Sequence, residues 1–325
     1  MTHHNELPIR SEVYGTTQDG QEVRRFILRN EMLQLSVIEY GAILENLVWT
    51  SNGKGYSLCH RLQSLDAYES DELCLGAVVG PVVDYVNDGN TSAYLKQSIH
   101  HGVGGEDGLH RMVWQGREAI DQRGPCLELE TVHSDGMNGE LGNLYVRVRF
   151  ILGQSGVCHI EYEVLSDAVR AINLTHHTYL QLPHMSQMPA TMSIMMRNAV
   201  VDVPSRQTER PSFSSDQSLC EGPVKFTRIP IEELTERRVE FADNEDDNML
   251  ALAQLDNGIV SVSVHSDQRA LYVRKGVVAQ VESAFSVCLA PHARGTTSTG
   301  HTSPSYLLEA GQLYRQKSEI RVEAI

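Results

Sequence analysis

The chain has 325 residues, with 27 Lys and Arg against 42 Asp and Glu, so its formal net charge is −15. This acidity argues against nucleic acid and anionic membranes as partners, because both require a basic surface. Hydrophobic residues make up 41% of the chain, which is enough for a packed core. No apolar run approaches the ~20 residues that a membrane span needs.

Short runs rich in β-branched and aromatic residues recur along the chain. They predict strands at 21–30, 33–39, 42–49, 75–79, 126–132, 143–151, 157–165, 190–196, 258–265, 270–274, 284–289 and 313–323. Hairpin turns with positive φ are expected where Gly follows Asp or Asn between these runs, at 19–20, 52–53, 135–136 and 257–258. The helix-like windows, 62–69 with Ser64 as a candidate cap and 231–236, are short.

About a dozen strands with almost no helix predict an all-β fold, an antiparallel sandwich or barrel. The chain has no repeat of the length of a propeller blade, which argues against a propeller. A single large β domain over residues 1–325 accounts for the length without a second domain.

The six cysteines are scattered along the chain without a CxxC pair. The first eight residues lack the basic and apolar regions of a signal peptide. We therefore expect a cytoplasmic protein whose thiols are buried and reduced.

Two pairs of adjacent histidines stand out among the 14, His100-His101 and His176-His177. Neighbouring residues on a strand face opposite sides, so at most one member of each pair can enter a given pocket. His101 precedes a glycine-rich stretch where backbone can approach a ligand, and His177 lies in an unusually polar strand-like run. The competing reading is that such histidines are ordinary surface or satisfied core residues.

Several other chemistries are disfavoured by spacing. Zinc sites need close spacing of at least two ligands, and adjacent histidines on a strand chelate poorly, so we expect no metal. The chain has no G-x-S-x-G turn, no P-loop and no dinucleotide-type glycine motif after a strand. We accordingly expect no cofactor.

Six segments, in order over nearly the whole chain, resemble the motifs of one enzyme family, the aldose 1-epimerases or galactose mutarotases. The most specific is Asn173-Leu-Thr-His-His-Thr-Tyr-Leu-Gln-Leu182, which resembles N-L-T-N-H-x-Y-F-N-L. The others are Tyr40-Gly-Ala-Ile-Leu44, Gly76-Ala-Val-Val-Gly80, His101-Gly102 with Gly108-Leu-His-Arg-Met-Val-Trp114, Ser134-Asp-Gly136 through Leu144, and Leu308-Glu-Ala-Gly-Gln-Leu-Tyr314.

The resemblance implies a β-supersandwich and the interconversion of α and β anomers of a free aldose. This reaction needs a base for the C1 hydroxyl proton and an acid for the ring oxygen. His177 matches the family's acid histidine, and His101 matches a histidine that binds the sugar. Asp246 matches an aspartate that holds sugar hydroxyls, although it also reads as part of a solvated acidic loop at 243–247.

This chain departs from the family at two places. Ala290 stands where the family has its catalytic glutamate, and the segment 80–86 lacks both family arginines and carries Asp84 and Tyr85 instead, which we assign to substrate binding. His292 lies two residues beyond Ala290, on the same side of an extended strand, and a neutral imidazole is a competent base. Asp84 is an alternative base, and His292 also reads as an ordinary loop histidine.

The leading hypothesis is therefore an enzyme that interconverts anomers of a non-phosphorylated sugar, with His177 as acid and an atypical base. The alternative is a catalytically silent sugar-binding or sensing protein, and a third reading is another carbohydrate reaction such as epimerisation or lyase chemistry. The loss of the two arginines favours a neutral sugar over a phosphorylated one. A monomer or a homodimer is expected.

Overall fold

The computed structural model describes residues 8–82, 104–183, 193–197, 201–204, 226–234, 236–241, 249–277, 285–293 and 307–325. Within these ranges, helix is limited to α1 (Leu65–Glu69) and to 3-10 turns at Leu109–Arg111, Met137–Gly139 and Ile231–Glu233. The first half of the chain contributes strands β1 (Ile9–Thr16), β2 (Glu22–Arg29), β3 (Leu33–Ile38), β4 (Ile43–Ser51), β5 (Lys54–Ser57), β6 (Val78–Val79), β7 (Gln115–Ala119), β8 (Cys126–His133), β9 (Leu144–Leu152) and β10 (Val157–Ser166).

The second half contributes β11 (Arg170–Ala171), β12 (Thr175–His176), β13 (Tyr179–Leu180), β14 (Ser193–Arg197), β15 (Val201–Pro204), β16 (Phe226–Pro230), β17 (Arg237–Glu240), β18 (Leu250–Asp256), β19 (Val260–Ser266), β20 (Ala270–Val277), β21 (Phe285–His292), β22 (Leu307–Leu308) and β23 (Leu313–Ala324). Each of these strands pairs with its neighbours in the antiparallel sense. The predicted all-β class is therefore confirmed.

Three larger sheets organise the described residues. One has the order β1-β2-β3-β4-β5, a second has the order β16-β14-β18-β19-β23-β10-β9-β8-β7, and a third has the order β13-β21-β20-β17-β15. We call the third the site sheet. Two further sheets have two strands each, β12-β6 and β11-β22.

Alternation of apolar and charged residues explains the central strands of the nine-stranded sheet. In β9, Val146, Val148 and Phe150 are buried in the main core. Arg147 and Arg149 face the other side, where Arg147 pairs with Glu130 at 2.6 Å. This period of two is what a sheet with one packed and one charged face requires.

Two hydrophobic clusters fill the interior. The main cluster packs the nine-stranded and the first five-stranded sheets together around Trp114, Phe150 and Tyr162. A smaller cluster lies on one face of the site sheet and includes Tyr179, Cys288 and Ala290. The face that carries the candidate site therefore borders a packed apolar cluster.

The local turn signals were predicted correctly. Gly20, Gly53, Gly136 and Gly258 all have positive φ, and Asn52 shares the left-handed region with Gly53 in the β4–β5 turn. Ser64 caps α1 by accepting a hydrogen bond from the Ala67 amide at 3.3 Å. Within the window 231–236, Ile231–Glu233 forms a 3-10 turn shortly before β17.

In the part of the chain that the structure describes, no helix has the length and apolarity needed to cross a membrane.

Candidate functional site

His176 and His177 face opposite layers, as the sequence predicted. The His176 ring is 5% exposed and meets the edge of Phe150, with 5.7 Å between ring centroids. Its Nδ1 lies 2.5 Å from the Thr178 hydroxyl, and burial lowers the pKa of His176 to about 3. His177 points the other way, toward the site sheet, so it is the member of the pair that is placed for chemistry.

The backbone of His177 is fixed by hydrogen bonds to Gly76 and Ala77, the two residues just before β6. Its amide donates to the Ala77 carbonyl at 2.9 Å, and its carbonyl accepts from the Gly76 amide at 2.8 Å. Gly76 has φ +70, and a Cβ there would collide with the Leu44 carbonyl. Residue 76 must therefore be a glycine, because no side chain fits beside the Leu44 carbonyl.

A turn at residues 71–75 meets the His177 ring. The Asp71 carboxylate accepts the amides of Leu73 at 3.0 Å and Leu75 at 2.6 Å. This turn presents the Leu73 carbonyl to His177 Nδ1 at 3.4 Å. Because a carbonyl oxygen can only accept, Nδ1 is the donor in this contact.

Tyr272 stacks against one face of the His177 ring. The two rings stack with centroids 5.9 Å apart and planes inclined by 15°. Tyr272 lies on β20, directly opposite Ala290 on β21 and Arg238 on β17. Cross-strand partners share a face of a sheet, so these three side chains project toward the same side of the site sheet as His177.

The adjacent row of the same face carries Tyr179, Cys288 and Arg274. Arg274 Nε lies 3.8 Å from Glu236 Oε2, and the other oxygen of Glu236 accepts a 2.5 Å hydrogen bond from the Tyr272 hydroxyl. Burial raises the pKa of Tyr272, and the Glu236 hydrogen bond raises it further. Tyr272 is therefore a neutral phenol that donates to an acidic partner.

Ala290 itself is completely buried within the smaller core cluster. The residue that the resemblance places at the catalytic base therefore presents a methyl group on the site face. No carboxylate can come from this position.

His292 lies on the same face of β21 as Ala290 and is 1% exposed. Its Nδ1 is 3.1 Å from the Ala290 carbonyl and must donate to it. Asn173 is the first residue of the motif that contains His177. Its side-chain oxygen accepts a hydrogen bond at 2.9 Å from the amide of Ala293, the residue that follows β21. The His177 segment and the end of β21 are thus tied together.

The other predicted site residues are His101, Asp84, Tyr85 and Asp246. All four lie outside the described residues. Their assignment to substrate binding remains a prediction from the sequence.

His110 is a polar residue near the site. It lies in the Gly108–Trp114 motif but was not predicted from the sequence as a site residue. It is 7% exposed, and Arg111 Nε donates to its Nε2 at 3.3 Å. Burial, followed by the charges of Arg111 and His177, lowers the pKa of His110 to about 4. The signal that could have identified it is a histidine in an otherwise apolar, tightly turned segment.

A concave surface of about 670 Å³ lies elsewhere, on the charged face of the nine-stranded sheet. Its lining includes Glu130, Tyr145, Arg147 and Glu163. Arg147 pairs with both glutamates and is shared between them. His177 and His292 do not line this surface, and we do not assign the candidate chemistry to it.

Among the described residues, no three His, Cys, Asp or Glu side chains are grouped so as to hold a metal ion.

Solved structures share this fold. The galactose 1-epimerase of Lactobacillus acidophilus superimposes with a TM-score of 0.77 at 17% identity, covering 98% of this chain and 99% of that one. The GalM/aldose epimerase homologue of C. elegans gives a TM-score of 0.68 at 16% identity, covering 91% and 97%. At such identities the likeness establishes the galactose mutarotase-like β-sandwich and nothing about the reaction.

Sequence relatives point the same way. The aldose 1-epimerase of Escherichia coli K12 is 25% identical over 181 residues, covering 53% of this chain and 51% of the relative. The maltose epimerase of Levilactobacillus brevis is 26% identical over 178 residues, covering 51% of each. The chain thus matches about half the length of these curated relatives.

A family model described as aldose 1-epimerase matches residues 24–321, which is most of the chain. The chain therefore belongs to the aldose 1-epimerase family.

Proposed function

We propose that this protein interconverts the α and β anomers of a free, non-phosphorylated aldose, with His177 as the general acid. The observation that carries the proposal is the placement of His177. Its ring stacks on Tyr272, and its Nδ1 donates to the Leu73 carbonyl. Membership of the aldose 1-epimerase family supports the same reaction class.

The chemistry follows from the bonds that must change. A base removes the proton of the C1 hydroxyl while His177 gives a proton to the ring oxygen, and the C1–O5 bond breaks as the C1 carbonyl forms. Rotation about the C1–C2 bond presents the other carbonyl face. Ring closure then returns both protons, which leaves the protein unchanged.

The base is not a glutamate at position 290, because that residue is Ala290. The candidate from the sequence is His292, whose Nδ1 contact with the Ala290 carbonyl directs its basic lone pair to Nε2. His101, Asp246, Asp84 and Tyr85 are proposed to bind the sugar. These assignments rest on the resemblance of their segments to family motifs.

A neutral ligand is favoured by the charges on the site face. Arg274 pairs with Glu236 at 3.8 Å, and Arg238 pairs with Glu240 at 2.6 Å. Each arginine that the register places on this face thus has a glutamate neighbour. A phosphate would have to compete with these carboxylates for the guanidinium groups.

A cytoplasmic location, a single domain over residues 1–325, and a monomeric or homodimeric state belong to the same proposal. Their support is the amino-acid sequence alone.

The test is polarimetry on freshly dissolved α-glucose and α-galactose. The wild-type protein should accelerate the decay of optical rotation, and His177→Asn should lower kcat by about 10²- to 10⁴-fold, the usual contribution of a general acid. His265→Asn is the matched control, because His265 lies on β19 beside Ser263, in the nine-stranded sheet.

If the wild type and His177→Asn accelerate the decay of optical rotation equally, His177 is not the general acid. Saturable sugar binding by the wild type without acceleration at any pH from 6 to 9 would contradict enzymatic function. That second outcome would favour a sugar-binding protein.

A further inference from the structure

We infer that Glu236, acting through the hydroxyl of Tyr272, accepts the C1 hydroxyl proton during anomer interconversion. This inference rests on the proposed function and names the base that the reaction needs. The pair consists of Tyr272 on β20 and Glu236 immediately before β17, and it takes the role for which the sequence analysis proposed His292.

The first support is the position of Tyr272 relative to the acid. Its ring stacks on His177 with 5.9 Å between centroids, so the hydroxyl edge of Tyr272 and the imidazole border the same space. The acid and the base of ring opening act on oxygens bonded to the same carbon. They must therefore lie within the width of one sugar ring of each other.

The second support is the small side chain opposite Tyr272. Ala290 is the direct cross-strand partner of Tyr272 and carries no polar atom. Among the described side chains in this cross-strand row, the hydroxyl of Tyr272 and the guanidinium of Arg238 are the polar groups. Only the hydroxyl of these two can relay a proton, because a guanidinium does not deprotonate in proteins.

The third support is the carboxylate behind the phenol. Tyr272 donates to Glu236 Oε1 at 2.5 Å, and Arg274 stands 3.8 Å from Glu236 Oε2. Burial and the Glu236 hydrogen bond raise the pKa of Tyr272, so the phenol keeps its proton at rest. The Glu236 carboxylate lies directly behind the phenol, as the group to which the phenol proton can pass.

The step balances without any further reactant. The C1 hydroxyl proton moves to the phenol oxygen as the phenol proton moves to Glu236, and His177 protonates the ring oxygen. The C1–O5 electron pair goes to O5, and the C1–O bond becomes a carbonyl. Ring closure reverses every transfer, returning the carboxylate, the phenol and the imidazolium.

Two neighbouring groups fit the role less well. His292 is 1% exposed and its Nδ1 is turned to the Ala290 carbonyl, so a sugar can approach it only through rearrangement. Cys288 lies on the same face, but burial raises the pKa of its thiol, which disfavours the thiolate.

The experiment compares Glu236→Gln and Tyr272→Phe with the wild type in the polarimetric assay. Both variants keep the shape of the site, and Tyr272→Phe also keeps the ring that stacks on His177. Each should lower kcat by about 10²-fold with little change in KM. The double variant should lose no more than either single variant, because the two residues act as one relay.

Matched controls are Glu233→Gln and Tyr56→Phe, which remove an exposed carboxylate and a hydroxyl beside Trp49. Both should keep wild-type kcat.

The outcomes separate the two proposals. An active wild type whose kcat survives Glu236→Gln, or whose kcat falls tenfold in His292→Ala and not in Tyr272→Phe, overturns the relay and leaves anomer interconversion standing. A wild type with no acceleration overturns both.

Discussion

Tyr272 and Ala290 are direct cross-strand partners on the site sheet, and Ala290 is completely buried between Tyr272 and the smaller core cluster. The space beside this methyl group is therefore already filled by protein. A carboxylate at this position, where the family resemblance would place one, would put a charge in apolar surroundings.

We predict that Ala290→Glu destabilises the fold by several kcal/mol at pH 7, and more than Ala290→Gln does. Burial raises the pKa of a carboxyl group, so the excess cost is absent below the pKa of the unfolded chain and grows as pH rises. Urea unfolding of both variants at pH 4.5 and pH 7 measures it. Equal stabilities at both pH values would show that position 290 is open to solvent.

His176 should make the protein lose stability in mild acid. Its pKa is lowered to about 3 in the folded state, against about 6.5 in an unfolded chain, so only the unfolded state binds the proton between these values. Stability should thus fall as pH drops below 6.5, by about 2 kcal/mol at pH 5 from this residue alone.

His176→Gln removes this titration and should flatten the dependence of unfolding free energy on pH between 6.5 and 5. The comparison is made with the wild type by urea unfolding at half-unit intervals of pH. If the two curves run parallel over this range, His176 is protonated in the folded protein.

Arg170 should be a stability hot spot remote from catalysis. Its side chain is 2% exposed, forms an ion pair with Glu140, and donates to the Gly142 carbonyl at 2.7 Å. Removing one partner leaves a buried carboxylate uncompensated, so Arg170→Ala should cost about 3–5 kcal/mol. Chemical denaturation gives this value directly.

Arg117→Ala provides the matched control for an exposed ion pair. Arg117 is 60% exposed and pairs with Glu128 at 2.7 Å, so its loss should cost less than about 1 kcal/mol. A similar cost for both variants would mean that water reaches the Arg170 pair.

The strands that the sequence predicted best are those with one buried and one polar face. The prediction of 157–165 matches β10 (Val157–Ser166), and 126–132 matches β8 (Cys126–His133), because alternation is a local signal. β7 (Gln115–Ala119) and β17 (Arg237–Glu240) were missed. Their polar residues become strands through pairing with β8 and β20.

The candidate site was predictable only in part. The polar run around His177 and the change to Ala290 can be read from the sequence alone. The closeness of Tyr272 to His177, and of Glu236 to Tyr272, depends on the register of β20 against β21 and β17. Register is a property of the assembled sheet, so no local pattern indicated these contacts.

The opposite orientations of His176 and His177 make the alignment of one very short strand a determinant of function. β12 is two residues long and is aligned by pairing Thr175 with Val79 and His176 with Val78. A slip of one residue that moved His177 into the place of His176 would turn the site imidazole toward Phe150 and bring Thr178 to the position beside Tyr272. Deleting Leu174 would therefore remove the acid from the site even though both histidines remain in the chain.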